Sequence, residues 1–448
     1  MKLELERSAF LKAWQVAEKY TASKTTLDAL NGIRITAENG TVTLEATDLK
    51  SSVKCRAKGA NIIEPGVAVL NASIVGNMIR KCTAKTITLD VPSDRGTLTS
   101  DGSKYRFTVI PANTFPNIPA STGAEEICSL MAYDLGMLIN EGSCAASAPS
   151  DFPKYMGTCL LRTKEGYLYA VSTDGKRLAC SKMLCGYISK DDDLLLPASA
   201  LRELAKVFTG KENVKVLADG STVWFALEAR EDDTEDGGSD ASESKAGLDG
   251  SEFSVRRVEA SFPKYERILS NEYMTRMRIS KSALMSALDR IAIIAKNNPA
   301  QIMAMTITPQ EDGNPEGNIW PVGKLRMTAR AQELGIASEL LEAEVQGDNM
   351  QIGFNVSFFQ DGLKAVGSDS VIIEFSGEEE QTRLFRDEGE DFLYMLMPIR
   401  LTPQDIVSDD DSAEDFSSPV DYGAPADEGE AYGSEGGEPE GGEEDAPF

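Results

Sequence analysis

The chain has 448 residues, 41% of them hydrophobic, too many for one ordinary core, so two to four domains are expected. Its formal charge is −27 and it has no histidine, which removes histidine-dependent triads, histidine-ligated metals and the commonest general base. Seven cysteines without a CxxC pair favour reduced thiols over a disulfide framework or a zinc site.

The opening stretch, MKLELERSAF, alternates like a short strand and does not read as a signal peptide. No apolar run nears the length of a membrane span, so a cytoplasmic protein is expected. A helical pattern follows in AFLKAWQVAEKY, then strands in IRITA and TVTLEAT, a second helix in LNASIVGNMIRKC, and strands in TITLDV and YRFTVI. The same order then returns. Leu135 follows Leu11 by 124 residues, Thr173-Asp174 follows Thr47-Asp48 by 126, and Ser199 follows Ser73 by 126. Phe262 follows Phe115 by 147. The surplus of 21 falls on Glu231–Gly250, where eight acids face one base, Lys245, and reads as an insertion.

A third copy opens with ISKSALMSALDRIAIIAK and carries its own second helix in FNVSFFQDGLKAV. Its surplus length fits a loop around PQEDGNPEGNIWPVG. Agreement on several elements predicts one two-helix, many-strand α+β unit used three times.

In LPASALRELAKVF the residues Leu201, Leu204, Ala205 and Phe208 share one face, and Pro197 suits the helix start. Arg202 and Lys206 share another face at i,i+4. Two like charges there cost a few tenths of a kcal/mol, roughly, which a polyanion opposite them offsets; a plain solvated face is the alternative. From Thr402 to Phe448 there are sixteen acids and no base, a composition that predicts disorder. Without the insertion and this tail the charge is only about −4.

With three such units, STDGKRLA, SFPKYERIL and a final YMLMPIRL, the chain resembles the bacterial sliding clamps, the β subunits of DNA polymerase III. The resemblance covers residues 1 to about 401. It implies a head-to-tail homodimeric ring that encircles double-stranded DNA, strands outside and helices lining the hole. It also implies no catalysis, no cofactor and no metal, and partners among DNA polymerase and clamp-loader subunits that carry Gln-x-x-Leu-Phe-like motifs. The implied domains are 1–125, 126–270 with an acidic insertion at 229–252, and 271–401, followed by the acidic tail 402–448.

Carried over position by position, the partner-peptide pocket is Met156, Thr173, Gly175, Lys176, Arg177, Leu178, Pro263, Arg267 and Ile268 from the second unit. The third supplies Asn355, Phe358, Met395, Leu396, Met397, Pro398, Ile399, Arg400 and Leu401. Weak sliding contacts to phosphates are expected from Lys12, Lys24, Arg80, Lys81, Tyr155, Arg202, Lys206 and Lys281. The implied dimer seam joins Phe107 to Ile293 and Ile294.

Three departures stand out: Lys176 where the family often has histidine, Ala198-Ser199 where relatives often carry bases, and 47 residues after Leu401. QTRLF at Gln381–Phe385 has the form of the partners' own docking motif, but its alternation suits a strand. Two rivals remain: a clamp-like paralogue that binds proteins without encircling DNA, and an enzyme on a repeat scaffold. For the enzyme, Asp174 is the one conceivable base, and no nucleophile or ligand set accompanies it; before Gly175 it reads as an Asx turn.

Overall fold

The computed structural model describes residues 1–22, 25–149, 151–228, 250–268, 272–310, 320–332, 334–387, 389 and 391–406. Lys24, nearly all of the acidic insertion and all but the start of the tail fall outside the described residues.

The first repeat runs β1 (Lys2–Glu6), α1 (Arg7–Glu18), β2 (Gly32–Glu38), β3 (Thr41–Thr47), β4 (Ser51–Arg56), β5 (Ala60–Glu64), β6 (Gly66–Asn71), α2 (Ala72–Lys81), β7 (Thr86–Asp90), β8 (Arg95–Ser100) and β9 (Ser103–Thr108). The second runs β10 (Glu125–Met131), α3 (Ala132–Gly142), β11 (Thr158–Lys164), β12 (Tyr167–Thr173), β13 (Arg177–Leu184), β14 (Tyr187–Ile188), β15 (Asp193–Pro197), α4 (Ala198–Ala205), β16 (Asn213–Ala218), β17 (Thr222–Leu227) and β18 (Glu252–Arg256). The third runs β19 (Thr275–Ser280), α5 (Lys281–Ala295), β20 (Ile302–Thr308), β21 (Val322–Ala331), β22 (Gly335–Gly347), β23 (Met350–Asn355), α6 (Val356–Ala365), β24 (Ser370–Phe375), β25 (Thr382–Arg386) and β26 (Phe392–Leu396). The order is the same each time, apart from the short edge strands β5 and β14. The chain is thus three repeated α+β domains, as its sequence predicts.

Each repeat packs its two helices against one another and lays the first of them on equivalent strands: α1 on β3 and β4, α3 on β12 and β13, α5 on β21 and β22. In α1 the buried side chains Phe10, Ala13, Trp14 and Ala17 follow helical spacing. Trp14 donates its indole N–H to the Ala72 carbonyl at 3.0 Å. A Cβ on Gly76 of α2 would lie 2.7 Å from that indole nitrogen, so only glycine lets the helices approach this closely.

The second helix of each repeat begins directly from a strand, and its start is chemically specified. Asn71 caps α2 by accepting from the Ile74 amide, and Asn355 caps α6 by accepting from the Phe358 amide. In α4 the cap position is Pro197, with no side-chain cap. Proline therefore precedes the first turn, where the sequence suggested that it opens it, and it still belongs to β15, opposite Thr158. The helix stops at Ala205, and the buried Phe208 lies beyond it.

Every strand pairing is antiparallel, and the sheets do not stop at the repeat boundaries. β18 of the second repeat pairs with β4 of the first, and β26 of the third pairs with β13 of the second. The result is a nine-stranded sheet, β14-β10-β16-β17-β18-β4-β3-β2-β6, and a twelve-stranded sheet, β15-β11-β12-β13-β26-β25-β24-β19-β22-β21-β20-β23. A five-stranded sheet, β5-β1-β7-β8-β9, completes the first repeat. Glu252 pairs with Lys54 in the first of these joins, so the insertion ends before it rather than including it. The TRLF of QTRLF lies in β25, held between β24 and β26, with its backbone already paired.

Candidate functional site

The two Thr-Asp turns show how the groove between the second and third repeats is shaped. Asp174 Oδ1 accepts from the amides of Lys176 and Arg177 at 3.0 and 3.1 Å. Thr173 Oγ1 donates to the Arg177 carbonyl at 2.7 Å. In the first repeat Asp48 and Thr47 make the same contacts with Lys50 and Ser51. Asp174 is thus an Asx-turn residue. Gly175, with a positive φ of 84°, takes the backbone conformation that glycine adopts freely.

That turn forms one rim. Met156, in a 3-10 turn over Lys154–Gly157, sits beside Gly175, with Met156 Cε 3.4 Å from where a Cβ on Gly175 would stand. The Lys176 carbonyl accepts from the Met397 amide at 2.9 Å. The second repeat's last turn, Tyr265–Ile268, adds exposed Pro263, Arg267 and Ile268. The chain beyond β26 continues through Pro398 to Ile399, whose amide donates to the Gly353 carbonyl at 2.8 Å. Leu401 packs beside Gly353, and Arg400 pairs with Glu379 at 3.1 Å on the surface.

Beneath the rim lies a separate apolar cluster: Leu160, Val171, Leu178, Leu195, Tyr265 and Met395, with Tyr169, Cys180, Val258 and Phe262 packed against it. Ile268 and Met397 remain 52% and 43% exposed, so apolar surface faces solvent above an apolar floor. Tyr155 meets Phe262 edge-on at 6.0 Å, on this side of the molecule. Leu396 is fully buried. Asn355 and Phe358 belong to the start of α6, the former as its cap.

Sequence reasoning missed Leu160, Val171, Leu195 and Tyr265 as floor residues. The offset of 126 would have flagged two of them, because it aligns Leu160 and Val171 with Arg34 and Glu45, whereas Leu195 aligns with the apolar Val69. The floor is therefore a departure from the repeat at two of these positions.

On the helix side, a groove is lined by Lys12, Gln15, Glu18, Lys19 and Arg80 of the first repeat and Lys206 of the second. The structure thus brings Lys12, Arg80 and Lys206 together. Arg80 is paired with Glu18 and hydrogen-bonded to Asn77, and Lys206 pairs with Glu203 at 2.6 Å. Lys12 and Lys81 are exposed. Arg202 turns inward and donates to the Ser143 carbonyl at 2.8 Å and the Ala146 carbonyl at 3.3 Å. Lys281 donates to the carbonyls of Lys364 and Val366. Arg202 and Lys281 both line a second cleft of about 900 Å³ between the helices of the second and third repeats.

Two strands keep open backbone along one edge among the described residues. β9 ends its sheet, and residues 335–343 of β22 pair only with β21. Phe107 on β9 lies flat over Gly96 opposite it. Ile293 is 68% exposed, while Ile294 packs partly into the third repeat's core. Among the described residues no cluster of metal-ligating side chains occurs, and no helix is long and apolar enough to cross a membrane.

Three α+β repeats joined edge to edge, with paired helices, an apolar groove at the second junction and open strands at the two ends, define a clamp-type protein. Family models of the DNA polymerase III beta subunit match residues 1–119 (N-terminal domain) and 317–400 (C-terminal domain), and along most of its length the chain is similar to bacterial sliding clamps. The beta sliding clamp of Pseudomonas putida is 26% identical over 404 residues, covering 90% of this chain and all of the relative. That of Vibrio cholerae is 24% identical over 402 residues, with the same coverage. Among solved structures, the Pseudomonas aeruginosa sliding clamp bound to griselimycin superposes with a TM-score of 0.76 at 23% identity. The Bacillus subtilis clamp superposes with a TM-score of 0.75 at 18% identity. Each covers 90% of this chain and 100% of the other.

Proposed function

We propose that this protein is a DNA sliding clamp, a non-catalytic processivity factor. In this role it encircles double-stranded DNA as a homodimer in the cytoplasm and tethers polymerase and clamp-loader subunits through the groove between its second and third repeats. The observation that carries the reading is the repeated strand junction. Inside the chain, β18 joins β4 and β26 joins β13. The third pair of equivalent strands, β9 and β22, is left over at opposite ends, and only a second copy can complete it. The edges are complementary: β9 carries Lys104 and Arg106, and β22 carries Glu342 and Glu339, the latter already held by Arg290 of α5. Joining them head to tail twice closes a ring and leaves no exposed sheet edge at the seam. Phe107, Ile293 and Ile294 flank that seam in this arrangement.

A ring held by topology needs only weak phosphate contacts, because tight ones would stop sliding. Lys12 and Lys81 make no ion pair among the described residues and are exposed enough to supply them; Arg80 and Lys206 contribute from within local pairs, and Tyr155 from the groove side, where it packs against Phe262. The groove offers Met156 and Met397, set over the buried floor of Leu178 and Met395, to the Leu-Phe end of a partner motif, with Thr173, Arg267 and Arg400 as polar rim; methionine suits a surface that must fit several partners. The test is a fluorescent peptide containing Gln-Ala-Ala-Leu-Phe titrated with the full chain. Saturable binding that is lost when Leu and Phe are replaced by Ala supports the groove; equal binding of the two peptides refutes it.

A further inference from the structure

Arg177 is 8% exposed, and a buried guanidinium has to be satisfied on every side. Its Nε donates to Asp174 Oδ2 at 2.9 Å, inside the groove turn. Its Nη1 donates to Asp361 Oδ2 at 2.7 Å, across the junction on α6, and approaches the Tyr394 hydroxyl at 3.4 Å. The guanidinium carbon lies 4.2 Å from the centre of the Phe358 ring, also on α6. Tyr394 in turn donates to the Phe358 carbonyl at 2.8 Å, and a Cβ on Gly362 of α6 would collide with its ring at 2.3 Å.

The first repeat closes the same turn without an arginine. There the equivalent position is Ser51, whose amide and hydroxyl reach Asp48 Oδ1 at 2.7 and 3.0 Å. The turn itself therefore does not require Arg177; what the arginine adds is the reach to α6. Asp361 is the other end of that reach. Its side chain is 43% exposed and lines the 900 Å³ cleft among Lys281, Lys364 and Arg202.

We propose that Arg177 is a positioning residue rather than a peptide contact: through Asp361 it ties the groove turn carrying Gly175 and Lys176 to the helix-lined cleft on α6, so that a charged group drawing on Asp361 in the cleft is felt at the peptide groove. The link passes from Asp361 to Arg177, to Asp174, and to the Lys176 carbonyl that holds the Met397 amide. This inference rests on the groove being the peptide site proposed above.

The test is Asp361→Asn, which removes the charge facing Arg177 without touching the groove. Expected is an approximately fivefold weaker affinity for the Gln-Ala-Ala-Leu-Phe peptide. Faster hydrogen exchange is expected at the Lys176 and Arg177 amides, with a thermal midpoint within about 2 °C of wild type and recovery in Asp361→Glu. Wild-type affinity and wild-type exchange in D361N overturn the link. Should D361N not fold, Arg177→Lys keeps the charge but cannot fork between two carboxylates; wild-type affinity and exchange in R177K overturn it equally. If the wild-type chain binds no peptide, the groove assignment fails, and exchange at the two amides still decides the link.

Discussion

Ser52 and Ser254 share a buried 2.6 Å hydrogen bond across the strands that join the first repeat to the second. At the second junction the equivalent register pair is Leu178 and Met395. The same substitution of polar for apolar extends beneath them: Arg34 and Glu45, paired at 2.6 Å, stand where the groove floor has Leu160 and Val171. Arg34 also lies 4.9 Å from the Phe115 ring. One architecture thus has an apolar floor at one junction and a closed ion pair at the other, which gives the second junction an apolar groove that the first lacks.

Removing one member of that pair is expected to hurt more than removing both. Arg34→Leu alone strands Glu45, which is 7% exposed, and should cost about 3 kcal/mol. The double variant Arg34→Leu, Glu45→Val should lie within about 1 kcal/mol of wild type. Urea unfolding of the three chains decides it; a double variant as unstable as the single one contradicts the account.

The groove's floor and rim should separate in their effects. Leu178 is fully buried, so Leu178→Ala is expected to cost about 2–5 kcal/mol of stability. Met397 is exposed, so Met397→Ala should leave the unfolding midpoint in place and weaken the Gln-Ala-Ala-Leu-Phe peptide about tenfold. Calorimetric titration alongside thermal unfolding measures both.

Much of this was legible in the chain, and the reasons differ by level. The repeat could be read because its marks are local chemistry: the Thr-Asp turns recur at an offset of 126 residues, and asparagine caps open the second helices of the first and third repeats. The strand status of QTRLF followed from its place late in the third repeat together with its alternation. The joins β18–β4 and β26–β13 were not legible, because edge pairing between repeats leaves no mark in either strand's own pattern. Arg202 and Lys281 show the other limit. A cation on a polar face reads as available, yet both are turned to backbone carbonyls at helix ends, where cations complete the last turn.

That difference predicts different salt behaviour. Lys81→Ala should lower the slope of log affinity for duplex DNA against log salt by about 0.9. Arg202→Ala should leave the slope within about 0.2 of wild type but cost about 1–3 kcal/mol of stability, since the Ser143 and Ala146 carbonyls lose their donor. Fluorescence anisotropy at several salt concentrations separates the two; equal slopes for wild type and Lys81→Ala argue against that lysine as a contact.

The thiols should react in a marked order. Burial pushes Cys55, Cys144, Cys159 and Cys180 up to about 12. Cys185 is held below its ordinary value by a hydrogen bond from Cys128. Because the thiolate is the nucleophile, Cys185 should be alkylated first by iodoacetamide at pH 8, and its rate should level off at lower pH than the rest. Peptide mapping after brief exposure reads the order, and Cys55 or Cys159 labelling ahead of Cys185 would contradict the packing described here.

The claim that two chains close into a ring is tested most directly by mass and topology together. Light scattering should give about twice the 48.4 kDa chain mass, and Lys104→Glu with Arg106→Glu should return it to the mass of one chain. Loaded with clamp loader and ATP, the dimer should stay on closed circular DNA and be lost from the same DNA once linearised. A stable single-chain mass in the wild type, or equal retention on circle and line, would contradict the ring.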